Sequence, residues 1–209
     1  MFQRMIDVLT GHARQRSDVW IFGTMAISAI ASLVAALVLS VEAFHLAKNP
    51  DAALSCSVNA IINCASVMKH PSADLFGFPN SFLGLIAEPI VITVAIAGIA
   101  GVRFPRLFMA AAQVGYGLGL IFAYYLFFVS AFVIEALCPW CLLVTVSTTL
   151  VFMSLLHYNI REDNLYLSKN VNRYLQDWNK KGYDRFATAI ILAAMVFLVL
   201  FKYQGSLFG

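Results

Sequence analysis

The sequence has little charge. Only 12% of its 209 residues are charged, about half the share that soluble domains carry, whereas 61% are hydrophobic. This balance excludes an ordinary soluble domain and indicates a membrane protein. The alternation of polar and apolar residues that membrane β-barrels need is also missing, so the expected fold class is all-α.

Motifs for common cofactors and leaders are missing as well. The stretch "GYGLG" at 115–119 has no strand before it and lies in an apolar run, where Gly115 and Gly119 are expected to allow close helix packing. Haem attachment needs C-x-x-C-H, but Leu142 follows Cys141. The first apolar run is too long for a signal peptide and has no small-residue cleavage site, so we expect it to be an anchor.

Long apolar runs are abundant. A helix that crosses the hydrocarbon core needs about 20 mostly apolar residues. Five stretches meet or approach that length, which predicts an all-α membrane protein with five transmembrane helices: Ile21–Val41, Phe82–Ala100, Leu107–Ile134, Cys138–Leu156 and Phe186–Tyr203.

The basic residues predict the orientation. If the N-terminus is cytoplasmic, eleven of the fourteen basic residues face the cytoplasm, as the positive-inside rule requires. Anionic lipid on that side accounts for the net charge of +3, so no nucleic-acid partner is expected. Residues 1–18 form a cytoplasmic basic tail, 159–185 a cytoplasmic amphipathic segment, and 186–209 the fifth transmembrane helix with an outer C-terminus.

The chain has only four cysteines, and this topology places all of them outside. Cys56 and Cys64 lie in the outer loop 45–80, and Cys138 and Cys141 at the beginning of the fourth span. Thiols in that compartment can be oxidised and stay oxidised, so two pairs there indicate redox chemistry. With no cysteine on the cytoplasmic side, a protein that delivers reducing equivalents outward is disfavoured.

The "CPWC" stretch at 138–141 suits the start of a helix. Proline is favoured in the first turn, which places Cys138 at the N-cap and Cys141 one turn in, close enough for a disulfide. A helix N-terminus favours a thiolate. We expect Cys138, nearer water, to be the better nucleophile, and Cys141 to be buried at the membrane edge.

The outer pair requires a different geometry. A continuous helix would separate Cys56 and Cys64 by about 12 Å, whereas a disulfide needs about 4.4–6.8 Å between Cα atoms. Either the chain bends near Cys56, or the two cysteines pair elsewhere in turn. Apolar residues at helical spacing predict that part of this segment is a helix on the membrane surface: Val58, Ile61, Ile62, Ala65 and Met68.

Two structural explanations of the cysteines compete with a thiol relay. Structural disulfides are one, although a C-x-x-C bridge closes a small loop and stabilises little. A four-cysteine zinc site is the other, although the seven-residue spacing is loose and the compartment oxidising. The relay is favoured, with no metal expected. Its electrons then need an acceptor, and a lipid-soluble quinone matches a dithiol at the lipid boundary.

The chain resembles the vitamin K epoxide reductase (VKOR) family in its bacterial form. The resemblance lies in the spacing of Cys56 and Cys64, the "FGFPNSFLGL" stretch at 76–85, the "CPWC" motif, and their order across four spans. It covers roughly residues 19–158. It implies a four-helix bundle around a quinone pocket plus a fifth peripheral helix, without the fused thioredoxin-like domain that some relatives carry.

The resemblance also implies a function. The protein would be a quinone-dependent thiol oxidase that supports disulfide bond formation in the bacterial cytoplasmic membrane. A separate DsbA-like thioredoxin-fold protein would reduce Cys56 and Cys64, Cys64 would attack Cys138, and Cys141 would pass electrons to menaquinone or ubiquinone. Two alternatives remain: a relative of disulfide bond formation protein B, in which the order of the two motifs is reversed, and a membrane scaffold or transporter with structural disulfides.

Asn80 is the first residue that the resemblance assigns to the quinone. It would donate a hydrogen bond to a quinone carbonyl; otherwise it is a turn residue after Pro79. Thr145 stands where the animal enzymes have a tyrosine, which favours a simple quinone over an epoxide. His70 stands where relatives often have a hydroxyl residue, with Ser72 two positions beyond. The pocket walls are expected to be aromatic: Phe76, Phe78, Phe82 and Trp140.

Glu88 is an ionisable residue inside a span. It lies about 10 Å of helix from Ser81, and such residues are costly and usually turned inward. Because quinone reduction consumes two protons, Glu88 is a candidate proton relay. The alternative is a neutral carboxyl that is hydrogen-bonded within the bundle beside Pro89.

Overall fold

The computed structural model describes the backbone of residues 2–50, 54–57 and 61–207, and the side chains of 15, 17–50, 54–57 and 61–204. The described residues form seven α-helices and no strand, which confirms the all-α fold class. A 3₁₀ turn, Pro71–Asp74, precedes α3, and a π-helical turn, Val129–Ile134, continues α4. The helices are α1 Phe2–Lys48, α2 Cys64–Lys69, α3 Ser81–Ile99, α4 Arg106–Phe128, α5 Pro139–Arg161, α6 Lys169–Lys180 and α7 Tyr183–Leu207.

Five helical segments are long and apolar enough to cross a membrane, as predicted: Ser17–Lys48, Ser81–Ile99, Arg106–Ile134, Pro139–Arg161 and Tyr183–Gln204. The helix of the first span begins at Phe2, so the segment expected as a basic tail continues α1. The side chains of Arg4, Arg14 and Arg16, on which the orientation partly depends, lie outside the described residues.

Helices α1, α3, α4 and α5 form the bundle. Its core joins residues from all four, among them Phe22, Ala95, Met109 and Val151. Small residues let α1 and α3 approach closely: a Cβ added at Gly84 would lie 2.8 Å from the Cβ of Ala36.

An ion network closes the end of the bundle that lies away from the cysteines, called the basic end below. Asp18 of α1 pairs with Arg161 of α5 and, at 3.4 Å, with Arg103 in the α3–α4 loop. Arg103 also pairs with Glu162 at 3.3 Å. These contacts tie α1, the α3–α4 loop and the end of α5 together. The opposite end of the bundle, which carries the loop with Cys56, is called the cysteine end.

Helices α6 and α7 lie outside the bundle. The buried face of α6 is polar: Gln176 Nε2 donates to the carbonyl of Ile160 and Asn179 Nδ2 to that of His157. His157 Nδ1 lies 2.6 Å from Asp184 Oδ2, which attaches the beginning of α7 to α5. The exposed face of α6 carries Val171, Tyr174 and Trp178, the arrangement of a helix at a lipid interface.

Candidate active site

The "CPWC" stretch starts α5 as predicted. Cys138 is the N-cap residue and Pro139 the first helical residue. The backbone N–H of Cys141 donates to Cys138 Sγ at 3.4 Å, so the sulfur takes the place of the oxygen of an ordinary N-cap. Both cysteines carry free thiols in this structure.

The outer cysteines are joined. Cys56 and Cys64 form a disulfide with their Cα atoms 5.6 Å apart, so the chain bends between them, which is the first of the two predicted alternatives. The predicted helix is shorter than expected: α2 begins only at Cys64, and Ile61 and Ile62 are not helical. Val58, also assigned to that helix, lies outside the described residues.

A backbone pairing sets the loop against the start of α5. The N–H of Leu137 donates to the carbonyl of Ile61 at 2.6 Å, and the N–H of Asn63 donates to the carbonyl of Leu137 at 3.1 Å. Because Asn63 precedes Cys64 and Leu137 precedes Cys138, the register places Cys64 beside Cys138, with the two Sγ atoms 3.2 Å apart. The sulfurs of Cys56, Cys64 and Cys138 all lie within 4.8 Å of one another.

The accessibility of the inner pair is the reverse of the prediction. Cys138 is 1% exposed, whereas Cys141 is partly exposed to the interior cavity described below. The expectation that Cys138 lies nearer water is wrong because the loop that carries Cys64 folds over it. A hydrogen bond from the Cys141 thiol lowers the pKa of Cys138, helped by the backbone N–H groups of Cys141 and Trp140 and opposed by burial. Cys138 is therefore a covered sulfur whose thiolate form is favoured by the donors around it.

A large cavity adjoins the sulfurs. It has a volume of about 870 Å³ and lies between α1, α3, α4, α5 and the cysteine loop, with Cys138 and Cys141 in its wall. A cavity of this size is in the range of small-molecule sites. Six of the residues discussed as site candidates also line it: His70, Ser72, Phe78, Asn80, Glu88 and Thr145.

Three predicted wall residues lie outside the lining. Phe76 and Phe82 flank Phe78, with ring centroids 6.0 and 6.3 Å away, and both are largely exposed. Trp140 packs instead against the apolar cluster around the outer disulfide. The aromatic walls come from Phe78 together with Phe122 and Phe127 of α4. Helix rotation, which the sequence does not show, decides which aromatic residue faces inward.

Asn80 braces the loop and leaves one atom open. Its Nδ2 donates to the carbonyl of Ser72 at 2.6 Å, while its buried Oδ1 has no hydrogen-bond partner among the described residues. Ser72 in turn lies 2.8 Å from His70 Nδ1 through its hydroxyl. An unpartnered buried acceptor in a cavity wall is costly, so it suits a ligand that brings a donor.

Thr145 contributes less than its position suggests. Its hydroxyl donates to the carbonyl of Cys141, one turn earlier, at 2.9 Å. The hydroxyl proton is therefore used within α5, and the side chain of Thr145 has no other proton to donate to a ligand in the cavity.

Glu88 lies deeper in the cavity wall and is 4% exposed. The hydroxyl of Ser32 donates to its Oε1 at 2.7 Å, and the hydroxyl of Tyr116 lies 3.1 and 3.2 Å from its two oxygens. Sequence analysis missed both partners, although Tyr116 is a polar residue in the middle of an apolar span. The flanking Gly115 and Gly119 line the cavity and touch no neighbouring helix, so the predicted packing role is wrong.

The fold and the site define a multi-pass helical membrane protein with two cysteine pairs at the edge of a largely apolar cavity. A sequence model described as the vitamin K epoxide reductase family matches residues 23–156, which is well over half of the chain. The chain belongs to this family. The family consists in general of quinone-linked disulfide oxidoreductases that work with a thioredoxin-like redox partner, so the protein is an oxidoreductase. No curated protein sequence gives a significant match.

Proposed function

We propose that the protein is a quinone-dependent thiol oxidase that drives disulfide bond formation outside the cytoplasm. The observation that carries the proposal is the 3.2 Å approach of Cys64 Sγ to Cys138 Sγ, with Cys141 in the cavity wall beside them. Sulfur atoms this close need little movement to exchange a disulfide, so the two pairs form one electron path. A scaffold with two separate structural disulfides needs no such approach.

The first exchange takes place between the partner and the loop pair. A thiolate of the partner attacks Cys56, the Cys56–Cys64 bond breaks, and Cys64 leaves as a thiolate. The second thiol of the partner then attacks the mixed disulfide, so the partner is oxidised and both loop cysteines are reduced. Since Cys56 is only 7% exposed, the chain covering it must open locally when the partner docks.

The second exchange moves the two electrons inward. Cys64 attacks Cys138 in a Cys138–Cys141 disulfide, and Cys141 leaves as a thiolate. Cys56 then attacks Cys64, which restores the loop disulfide and releases Cys138. This structure, with the loop pair joined and the inner pair reduced, has the bonding expected after that transfer. The lowered pKa of Cys138 makes it a good leaving group for the last step.

The cavity fits a quinone. Its walls are mainly apolar, and their polar groups include the open Oδ1 of Asn80, the carboxyl of Glu88 and the side chain of Thr145. A bound quinone supplies an acceptor for two electrons and two protons. Cys141, in the wall of the cavity, presents the reducing sulfur. The second N–H of Asn80 Nδ2 would donate to a ring oxygen of the quinone, and the open Oδ1 would accept from a hydroxyl of the reduced ring. Glu88 exchanges a proton held against Ser32 and Tyr116.

We assign the cysteine end to the outer face of a bacterial cytoplasmic membrane because the basic end carries Arg103, Arg106 and Arg161. The donor on that face would be a separate DsbA-like protein. Such a donor, at roughly −120 mV, requires an acceptor more oxidising than ordinary protein dithiols, and a respiratory quinone such as menaquinone or ubiquinone satisfies this.

The test uses the protein in membranes with a reduced thioredoxin-fold donor and a quinone, and follows the absorbance of the quinone. We expect turnover that depends on both substrates and is lost in Cys138→Ser, with Cys64 then open to alkylation. If Cys138→Ser turns over at the parent rate, the electron path is wrong. If the parent oxidises no donor with either quinone, the cysteines are structural.

A further inference from the structure

Helix α7, outside the bundle, contacts the turn that carries the inner cysteines. The buried side chain of Tyr203, 6% exposed, forms one apolar cluster with Val199 on α7, Ala131 and Leu137. The Tyr203 hydroxyl donates to the carbonyl of Ala131 at 3.1 Å. The cysteine end of α7 thus packs on the segment immediately before Cys138.

A second contact holds the same turn. Lys202 Nζ donates to Glu135 Oε1 at 2.7 Å. Glu135 has φ 56°, in the left-handed region that residues other than glycine rarely adopt, and it ends the π-helical turn after α4. An exposed ion pair contributes little to stability. The effect of this pair is to fix the position of Glu135, and with it the turn before Cys138, relative to α7. Lys202 and Tyr203, with Val199, are called the α7 clamp below.

Most other parts of α7 face outward. Its large apolar side chains at Ile190, Val196, Phe197 and Phe201 are exposed, as expected for a helix in contact with lipid. At the basic end α7 is attached through Asp184 and His157. The close contacts at the cysteine end are therefore a local feature of the clamp.

Leu137 connects the clamp to the sulfurs. Its side chain packs in the cluster with Tyr203, while its backbone pairs with Ile61 and Asn63. Ile61 belongs to the same cluster. Since this pairing sets Cys64 against Cys138, displacement of Leu137 would change the distance between the two sulfurs.

We propose that the α7 clamp is a positioning element of the thiol relay, which holds Leu137 and Ile61 so that Cys64 and Cys138 stay within exchange distance. The inference rests on the proposed function, because it concerns the transfer between the two cysteine pairs. None of the three clamp residues lines the cavity that carries Cys138 and Cys141 in its wall. Its loss therefore lowers the effective concentration of Cys64 toward Cys138 and leaves the chemistry of Cys141 unchanged.

The test measures that effective concentration directly. In a Cys56→Ser/Cys141→Ser chain only Cys64 and Cys138 can pair, and equilibration with glutathione, followed by alkylation and mass spectrometry, gives the reduction potential of this pair. We expect Tyr203→Ala to lower the effective concentration about tenfold, which is about 30 mV for a two-electron couple. Tyr203→Phe, which keeps the ring and loses the hydrogen bond, should cause a smaller loss.

Phe201→Ala is the matched control, because Phe201 is an aromatic residue of the same turn whose side chain is 63% exposed. It should leave the potential at the parent value. An unchanged potential in Tyr203→Ala, or an equal shift in Phe201→Ala, overturns the inference. Quinone reduction driven by dithiothreitol in a Cys56→Ser/Cys64→Ser chain should be unaffected by Tyr203→Ala. If Tyr203→Ala also abolishes the quinone reduction driven by dithiothreitol, α7 has a general role in folding and the alanine variant is uninformative about the clamp. The milder Tyr203→Phe then decides, and an unchanged reduction potential of its Cys64–Cys138 pair overturns the proposal.

Failure of the proposed function gives a different result. If the parent Cys56→Ser/Cys141→Ser chain forms no Cys64–Cys138 disulfide at any glutathione ratio, the relay is wrong and the clamp has nothing to position. If that disulfide forms and is indifferent to all α7 variants, the relay stands and only the clamp is rejected.

Discussion

Glu88→Gln separates a proton-exchanging carboxyl from a structural one. The amide retains the volume of the side chain and one oxygen. That oxygen can accept from the hydroxyls of Ser32 and Tyr116, which lie 2.7 and 3.1 Å from Glu88 Oε1 in the parent. The amide nitrogen replaces Oε2, which lies 3.2 Å from the Tyr116 oxygen and can donate to it. Only the exchangeable proton is lost, so we expect the free energy of unfolding to change by less than about 1 kcal/mol.

Glu88→Ala gives the architectural comparison. It removes the acceptor of two hydroxyl groups, and side-chain hydrogen bonds in membrane proteins contribute about 0.6 kcal/mol on average and about 1.7 at most, so the expected loss of stability is about 1–3 kcal/mol. A structural carboxyl would therefore make alanine costly and glutamine harmless in every assay.

A carboxyl that supplies a proton gives a different pattern. Loss of a general acid typically lowers a rate by about 10²–10⁴-fold, so quinone reduction by Glu88→Gln should slow by about a hundredfold if this step limits turnover. Thiol exchange with the partner, followed in single turnover by gel shift, should keep its rate. Tyr116→Phe, which keeps the carboxyl, should slow quinone reduction less. Parent-like quinone turnover in Glu88→Gln would remove the carboxyl from the chemistry.

Three further predictions concern the sulfurs and the bundle. Cys141→Ser should stop quinone reduction and accumulate a Cys64–Cys138 disulfide, because the Cys138 thiolate attacks Cys64 in the loop disulfide, Cys56 leaves as a thiolate, and no Cys141 thiol is present to resolve the new bond; peptide mapping without reductant checks this, and absence of the cross-linked peptide contradicts the assignment. In a Cys56→Ser/Cys64→Ser chain, the pKa of one thiol should lie below that of a free cysteine peptide, because the hydrogen bond from the Cys141 thiol lowers the pKa of Cys138. Ultraviolet titration of the chain beside such a peptide measures this, and two midpoints at or above that of the peptide would refute it. Gly84→Ala should lower the free energy of unfolding in detergent by about 1–3 kcal/mol, because the new methyl group would lie 2.8 Å from Ala36. Gly23→Ala, with open space around it, is the neutral control. Equal thermal midpoints for the two variants would contradict the close approach of α1 and α3.

Local sequence patterns were sufficient to predict the membrane-spanning helices and the start of α5. Apolar run length predicts the spans because every helix that crosses a bilayer must satisfy its own backbone hydrogen bonds over the same thickness. Pro139 predicts the first turn, which in turn places Cys138 at the N-cap. Chain geometry also excluded a continuous helix from Cys56 to Cys64, which left the observed bend as one of two choices.

Contacts between distant residues could not be predicted in this way. The sequence places Cys138 at the end of a span, where water is expected. Whether the loop before α2 covers Cys138 depends on the hydrogen bond between Ile61 and Leu137, 76 positions later. In the same way, Phe78 lines the cavity and Phe76 does not because the fold of the loop and the rotation of the neighbouring helices determine which ring faces inward.

The sequence by itself determined the class of protein, the number of spans and the two cysteine pairs, because hydropathy and residue spacing act within one segment of chain. The tertiary structure alone decided that three sulfurs meet, that Ser32 and Tyr116 hold Glu88, and that α7 reaches the turn before Cys138. These features arise from the packing of separate helices, whose rotation and register depend on all their neighbours at once.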